Sequence, residues 1–390
     1  VELQGGTLTE SSSTSYAISV AKGKSATWKL AERSTYSNKI TGEGTLSIYC
    51  PLVSGGSWMA PRTPVKCNMS EFEGTIKPQM PYKDNRFTLD NSYGLPKATM
   101  DIPEGMEVQN TGKVFAIGKV TGEGALGGLV DFGKGVSGYN TWKVGNETTY
   151  RWSGKVTGTS TAFVKIGSGK LTAGASWDNT GSVKVSEGEL CLTSGNVIGT
   201  GALVVDEGAR LGGVTGNASL TNSSYTINGE LVVGAFANAT SGKISFGGKN
   251  VTISSTGKYV VGKGSYSNTT IDDVNTLTIN GTIEVVFASS YTPKDGDVVT
   301  LWTANKFAGT PNYVLPNLPL GMAWDMSKVS EGILTIVADP TAIDVVPFGA
   351  NYGHNDIYDL KGQLVRKNAT STEGLPSGVY FRNGKKIVVK

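Results

Sequence analysis

The chain has 390 residues, of which 38% are hydrophobic, 17% charged and 53 are glycine. At roughly 100–200 residues per ordinary domain, that leaves two or three domains, or one long repeat domain with an appendage. A net charge of +3 with both signs interspersed gives no footprint for nucleic acid or an anionic membrane surface. No stretch approaches the ~18 apolar residues of a membrane span, so membrane insertion is not expected. Glycine without a strict three-residue period, beside only 14 prolines, excludes collagen.

Taken in chain order, one pattern returns. Gly-x-Gly-x-Leu stands at Gly42-Glu43-Gly44-Thr45-Leu46 and Gly122-Glu123-Gly124-Ala125-Leu126, then at Gly167–Leu171 and Gly199–Leu203. A shorter form, one glycine two residues before an apolar residue, stands at Gly188-Glu189-Leu190, Gly229-Glu230-Leu231 and Gly281-Thr282-Ile283. With Gly208 and Gly257 the steps from 188 to 208, 229, 257 and 281 are 20, 21, 28 and 24 residues. That is the length of one solenoid turn. Around these glycines the residues alternate apolar and polar, as in Thr276-Leu277-Thr278-Ile279, which is a strand signal. Leucine-rich repeats would need LxxLxL with asparagines, and propeller blades a period above ~40 residues. The remaining architecture is all-β: a parallel β-helix over 1–340.

Two regions break the pattern. Residues 55–97 are denser in proline, charge and aromatics, and are expected to leave the coil as long loops, where function concentrates. Residues 286–340 carry five prolines and are read as a cap and linker. From 341 to 390 the sequence predicts a short antiparallel β module, with Asn383-Gly384 between alternating runs as a hairpin signal.

That tail, with Tyr358-Asp359-Leu360-Lys361-Gly362 through Val365, then Leu375-Pro376-Ser377-Gly378-Val379-Tyr380 and a terminal lysine at 390, resembles the C-terminal sorting domain of type IX secretion substrates. The resemblance implies a secreted or cell-surface protein. Glycine-repeat body, the 55–97 region and this tail together resemble the β-helical carbohydrate-binding modules associated with endo-xylanases of gut polysaccharide-degrading bacteria. That resemblance implies a polysaccharide partner, xylan or a related hemicellulose, an appended glycoside hydrolase domain, and a monomer. With no signal segment at Val1, such a hydrolase is expected on the N-terminal side.

The chemistry is then read residue by residue. One histidine and three cysteines without a CxxC pair exclude metal centres built on several such ligands. The cysteines are taken as buried thiols, a single Cys50–Cys67 disulfide being the most plausible bridge. His354 reads as a surface loop residue. No cofactor is expected, although Asp/Asn/Gly loops leave structural calcium open. Sugar binding needs flat aromatic faces and planar polar groups. The candidates are Trp58, Tyr82, Arg86 and Tyr93 in the irregular region, and Tyr139, Trp142, Trp152 and Trp177 beyond it, displayed outward along the coil. A polysaccharide lyase or hydrolase would need clustered or paired carboxylates. The adjacent acidic pair Asp272-Asp273 reads as solvated loop charge, so no catalytic residues are assigned. The competing reading is a surface adhesin or structural stalk whose repeats only set length.

Overall fold

The computed structural model describes residues 1–51, 65–81, 86–110, 114–128, 140–213, 216–234, 241–339, 355–382 and 385–389. Trp58, Tyr82, Tyr139 and His354 lie outside them, as do Asn383 and Gly384. The chain divides into two units. One comprises Val1–Asn317 with Trp324–Ile336, the other Leu318–Ala323 with Val337–Lys390.

The larger unit is a parallel β-solenoid. Strands from Gly6–Thr9 to Trp302–Ala308 stack in sequence order along one long sheet, each parallel to the next, and a second face holds an eight-strand ladder from Tyr150–Trp152 to Asn312–Val314. Register explains why the sequence alternates. One inward row of the long sheet runs Phe115, Trp142, Phe163, Val183, Leu203, Tyr225, Val251, Leu277 and Phe307. On the second face the leucines of the Gly-x-Leu repeats stack, with Leu211 between them, as Leu171, Leu190, Leu211 and Leu231. Each such side chain contributes about 1.5–3 kcal/mol by leaving water. No single turn could do this alone, since half of every ladder and of every side-chain contact comes from its neighbours.

The repeat glycines have a steric cause. A Cβ on Gly229 would lie 2.2 Å from the backbone oxygens of both Asp206 and Ala209, and one on Gly281 would lie 2.0 Å from the Gly257 oxygen. The corner of one turn sits directly on the carbonyls of the turn before. Only a residue without a side chain fits there.

Part of the 55–97 expectation is corrected. Thr75–Gln79 continues the long sheet, and Arg86–Leu89 pairs in parallel with Glu107–Asn110. Pro78 takes an inward position opposite Ile48 without leaving the strand. The 286–340 segment is likewise not only cap and linker, since Trp302–Ala308 and Asn312–Val314 form the last parallel strands of both ladders. Asp272 and Asp273 lie inside strand Thr269–Ile279 rather than in a loop, with Asp272 paired to Lys243 at 2.7 Å. The three cysteines are free and buried, so the proposed Cys50–Cys67 bridge is absent. Burial pushes the Cys50 thiol far up and that of Cys67 to about 12.

The smaller unit carries the antiparallel module expected of the tail. Gly378–Arg382 pairs with Lys385–Val389, Arg382 opposite Lys385, and Ile357–Tyr358 pairs on its other side. Its core is Ile357, Ala369 and Tyr380.

Candidate functional site

The described aromatic candidates divide sharply. Trp142, Trp152 and Trp177 are all in the solenoid core, which corrects their expected outward display. Trp142 shares strand parity with the buried Val144 and donates its indole N–H to the Gly127 carbonyl at 3.0 Å. Trp152 and Trp177 pack at 6.0 Å between ring centroids, and Trp177 also meets Phe163 at 4.6 Å. Trp28 and Trp302 are interior too. A large apolar ring in a stacked coil gains more by filling the core than by facing water.

Tyr93 does face solvent, 54% exposed. It lies on a turn held by Asn91, whose Oδ1 accepts from the Tyr93 and Gly94 backbone N–H groups. Arg86 begins the strand Arg86–Leu89. The structure adds one ring the sequence reading missed: Tyr266, fully exposed at the tip of a tight turn closed by the Gly264 N–H to Ser267 oxygen bond at 2.9 Å.

A groove of about 750 Å3 runs along the second face, crossing successive turns from Glu147 to Thr282. Its floor is the stacked glycine corners, among them Gly169, Gly188, Gly229 and Gly257. Its wall is the residue after each corner, in register: Lys170, Glu189, Arg210, Glu230, Lys258. Each of these follows a residue too tightly packed to carry a side chain or an alanine, and precedes an inward apolar one, so strand alternation turns it outward.

The wall is a chain of ion pairs. Lys170 reaches Glu189 at 3.4 Å, and Arg210 reaches Glu189 at 3.9 Å and Glu230 at 2.6 Å. Lys258 then spans Glu230 at 2.7 Å and Glu284 at 3.1 Å. Partial burial works against the Glu230 carboxylate, but hydrogen bonds from Lys258 and Arg210 outweigh it and hold its pKa below the usual carboxylate range. The Lys258 ammonium is correspondingly raised, first by its hydrogen bond to Glu230. The Glu230 carboxylate is therefore an acceptor with no proton to give near neutral pH. What the groove offers is a row of fixed, planar or ammonium-bearing polar groups, one per turn, over a floor that lets a ligand approach the backbone.

Among the described residues no three His, Cys, Asp or Glu side chains come together as a metal site. Asp90 and Asp101 are each tied to a lysine, Lys66 at 3.3 Å and Lys77 at 2.9 Å.

Fold and groove define the class: a parallel β-solenoid with a polar groove along one face. No known family and no curated protein matches the chain.

Proposed function

We propose that this chain is a non-catalytic module that binds an extended plant cell-wall polysaccharide, xylan or a related hemicellulose, along the groove of its second face. The observation that carries the reading is the wall Lys170–Glu189–Arg210–Glu230–Lys258, one polar group per turn. Turns repeat every ~4.8 Å and an extended pyranose chain on the order of every 5 Å, so one polymer can meet several turns in phase. Three cationic and two anionic wall groups with Glu147 at the mouth leave the lining balanced in charge, which suits a neutral polymer better than a polyuronate. The core tryptophans are out of reach of a ligand, and the exposed rings Tyr93 and Tyr266 do not line the groove, so binding there would rest on hydrogen bonds rather than stacking.

The electrostatics support a binding role over hydrolysis. A general acid needs a carboxyl pKa raised towards neutrality, and Glu230 is shifted the other way. As a module of a larger secreted or surface enzyme, the chain would raise the effective concentration of an appended hydrolase at its substrate.

Affinity electrophoresis against xylan, mixed-linkage glucan, mannan and polygalacturonate tests this. Retardation in xylan that falls in the double variant Arg210→Ala/Glu230→Ala is expected. No retardation in any gel would overturn the proposal and favour a stalk, the reading favoured by a wall whose charges already satisfy one another. A depolymerised gel lane would favour an enzyme.

A further inference from the structure

We infer that the C-terminal β module lies on an anionic lipid surface, setting one apolar sheet face into the headgroup boundary with its lysines around it. The inference is independent of polysaccharide binding.

The two faces of this module's antiparallel sheet differ. Ile357 and Tyr380 are buried, and Ile387 and Val389 pack against them. Strand alternation then turns the intervening residues to the reverse face. Pairing sets these side by side: Leu364 opposite Tyr358, Tyr358 opposite Phe381, and Val379 opposite Val388. Leu364, Phe381 and Val388 are 50%, 39% and 59% exposed. Apolar side chains scattered singly over a surface are ordinary, but a continuous set crossing every strand of a sheet marks a binding face.

Charge identifies the occupant. Residues 341–390 hold seven lysines and arginines against four acidic residues, and residues 1–340 hold equal numbers of each sign, so the chain's +3 belongs entirely to this module. Of its carboxylates, Asp356 is buried and accepts the Asn368 N–H at 2.6 Å, while Asp359 accepts the N–H groups of Lys361 and Gln363. In the solenoid, lysines are neutralised across turns, as in Lys77–Asp101 at 2.9 Å and Lys184–Asp206 at 2.8 Å. Among the described residues no such pair forms at the exposed Lys361, Lys367, Lys385 or Lys386. Lys386 stands opposite Phe381 at the end of the apolar row, and Lys361 follows the exposed Leu360.

A second copy docked on this face would bring like charges together, and protein interfaces are depleted of lysine. A lipid surface suits both features. The apolar side chains enter the acyl boundary, while the lysine stems snorkel and leave their ammonium groups among anionic headgroups.

The test is flotation of the full chain with vesicles of phosphatidylcholine alone and of phosphatidylcholine mixed equally with phosphatidylglycerol. Binding to the mixed vesicles only is expected, falling as salt is raised. Each lysine at an anionic surface strengthens partitioning several-fold, so Lys385→Gln/Lys386→Gln should lower it by roughly 10-fold or more. Phe381→Ser/Val388→Ser should abolish it, and hydrogen exchange across Gly378–Arg382 checks that the module stays folded. If it does not, the glutamine pair carries the comparison. Failure to float with the mixed vesicles, or flotation that survives the serine pair, overturns the proposal. A wild-type dimer that the serine pair dissociates assigns the face to a second copy and overturns it too.

Discussion

Replacing Gly229 by alanine tests the claim that the repeat glycines are dictated by the carbonyls of the preceding turn. The new Cβ would lie 2.2 Å from the oxygens of Asp206 and Ala209, more than 1 Å inside ordinary carbon–oxygen contact, and both atoms are rigid backbone. One of them, the Ala209 oxygen, accepts the Glu230 N–H at 2.8 Å. Overpacking of this kind costs about 1–3 kcal/mol, and loss of that ladder bond about 1 kcal/mol more, so about 3 kcal/mol is expected. Gly208→Ala is the control. It has a positive φ of 78° but nothing within 4 Å of its Cβ. Its cost is the left-handed conformation, about 1–2 kcal/mol, partly offset by the stiffer unfolded chain. Urea unfolding read by tryptophan fluorescence measures both, because the interior indoles shift to the red on exposure. Hydrogen exchange at the Glu230 amide localises the damage. If Gly229→Ala is no more destabilising than Gly208→Ala, the steric account of the glycine repeat is wrong.

Trp142→Ala should cost about 3–5 kcal/mol as a core deletion, while Trp142→Phe leaves polysaccharide retardation unchanged; a selective loss of retardation in the Phe variant would return the indole to the ligand. Arg210→Ala should change stability by no more than about 1 kcal/mol, since its pairs are partly exposed, yet weaken binding in the same gels. Lys165 gives a pH signature. It occupies an interior position between Val144 and Val185, its ammonium donating to the Ile166, Gly167 and Glu187 carbonyls at 2.8, 2.7 and 3.2 Å. Burial lowers its pKa from 10.5 to about 8, against the raising effect of Glu187 and Glu189. Between those two values the unfolded chain binds more protons, so stability rises with pH across that window. The gain is on the order of 1 kcal/mol after allowing for screening. The difference between wild type and Lys165→Met isolates it, and a flat or falling difference from pH 8 to 10.5 contradicts the assignment.

The solenoid was legible because its two constraints are local. Glycine marks each corner where a neighbouring carbonyl fills the Cβ position, and the leucine two residues on marks the inward face. The direction of the rings was harder to read, because a strand's two faces differ by one residue of parity. In Asn140-Thr141-Trp142-Lys143-Val144 the shared parity of Trp142 and Val144 points inward, whereas Trp177 follows no regular strand at all. The groove wall left a signal that went unused. The residue before each inward apolar one alternates in charge through Lys170, Glu189, Arg210, Glu230 and Lys258, and all but Arg210 stand directly after a repeat glycine. What no spacing reveals is that these groups lie in one line, since that depends on insertions of unequal length being absorbed in the loops.

The alternation of sign along that line restricts how the protein can lengthen or shorten. Removing the one turn that carries Arg210 would bring Glu189 directly onto Glu230, and removing the turn of Glu230 would stack Arg210 on Lys258. Like charges opposed in neighbouring strands are destabilising. Excising two adjacent turns, by contrast, restores the match. Within this stretch the unit of tolerated insertion or deletion is therefore a pair of coils, so repeat number should vary in even steps.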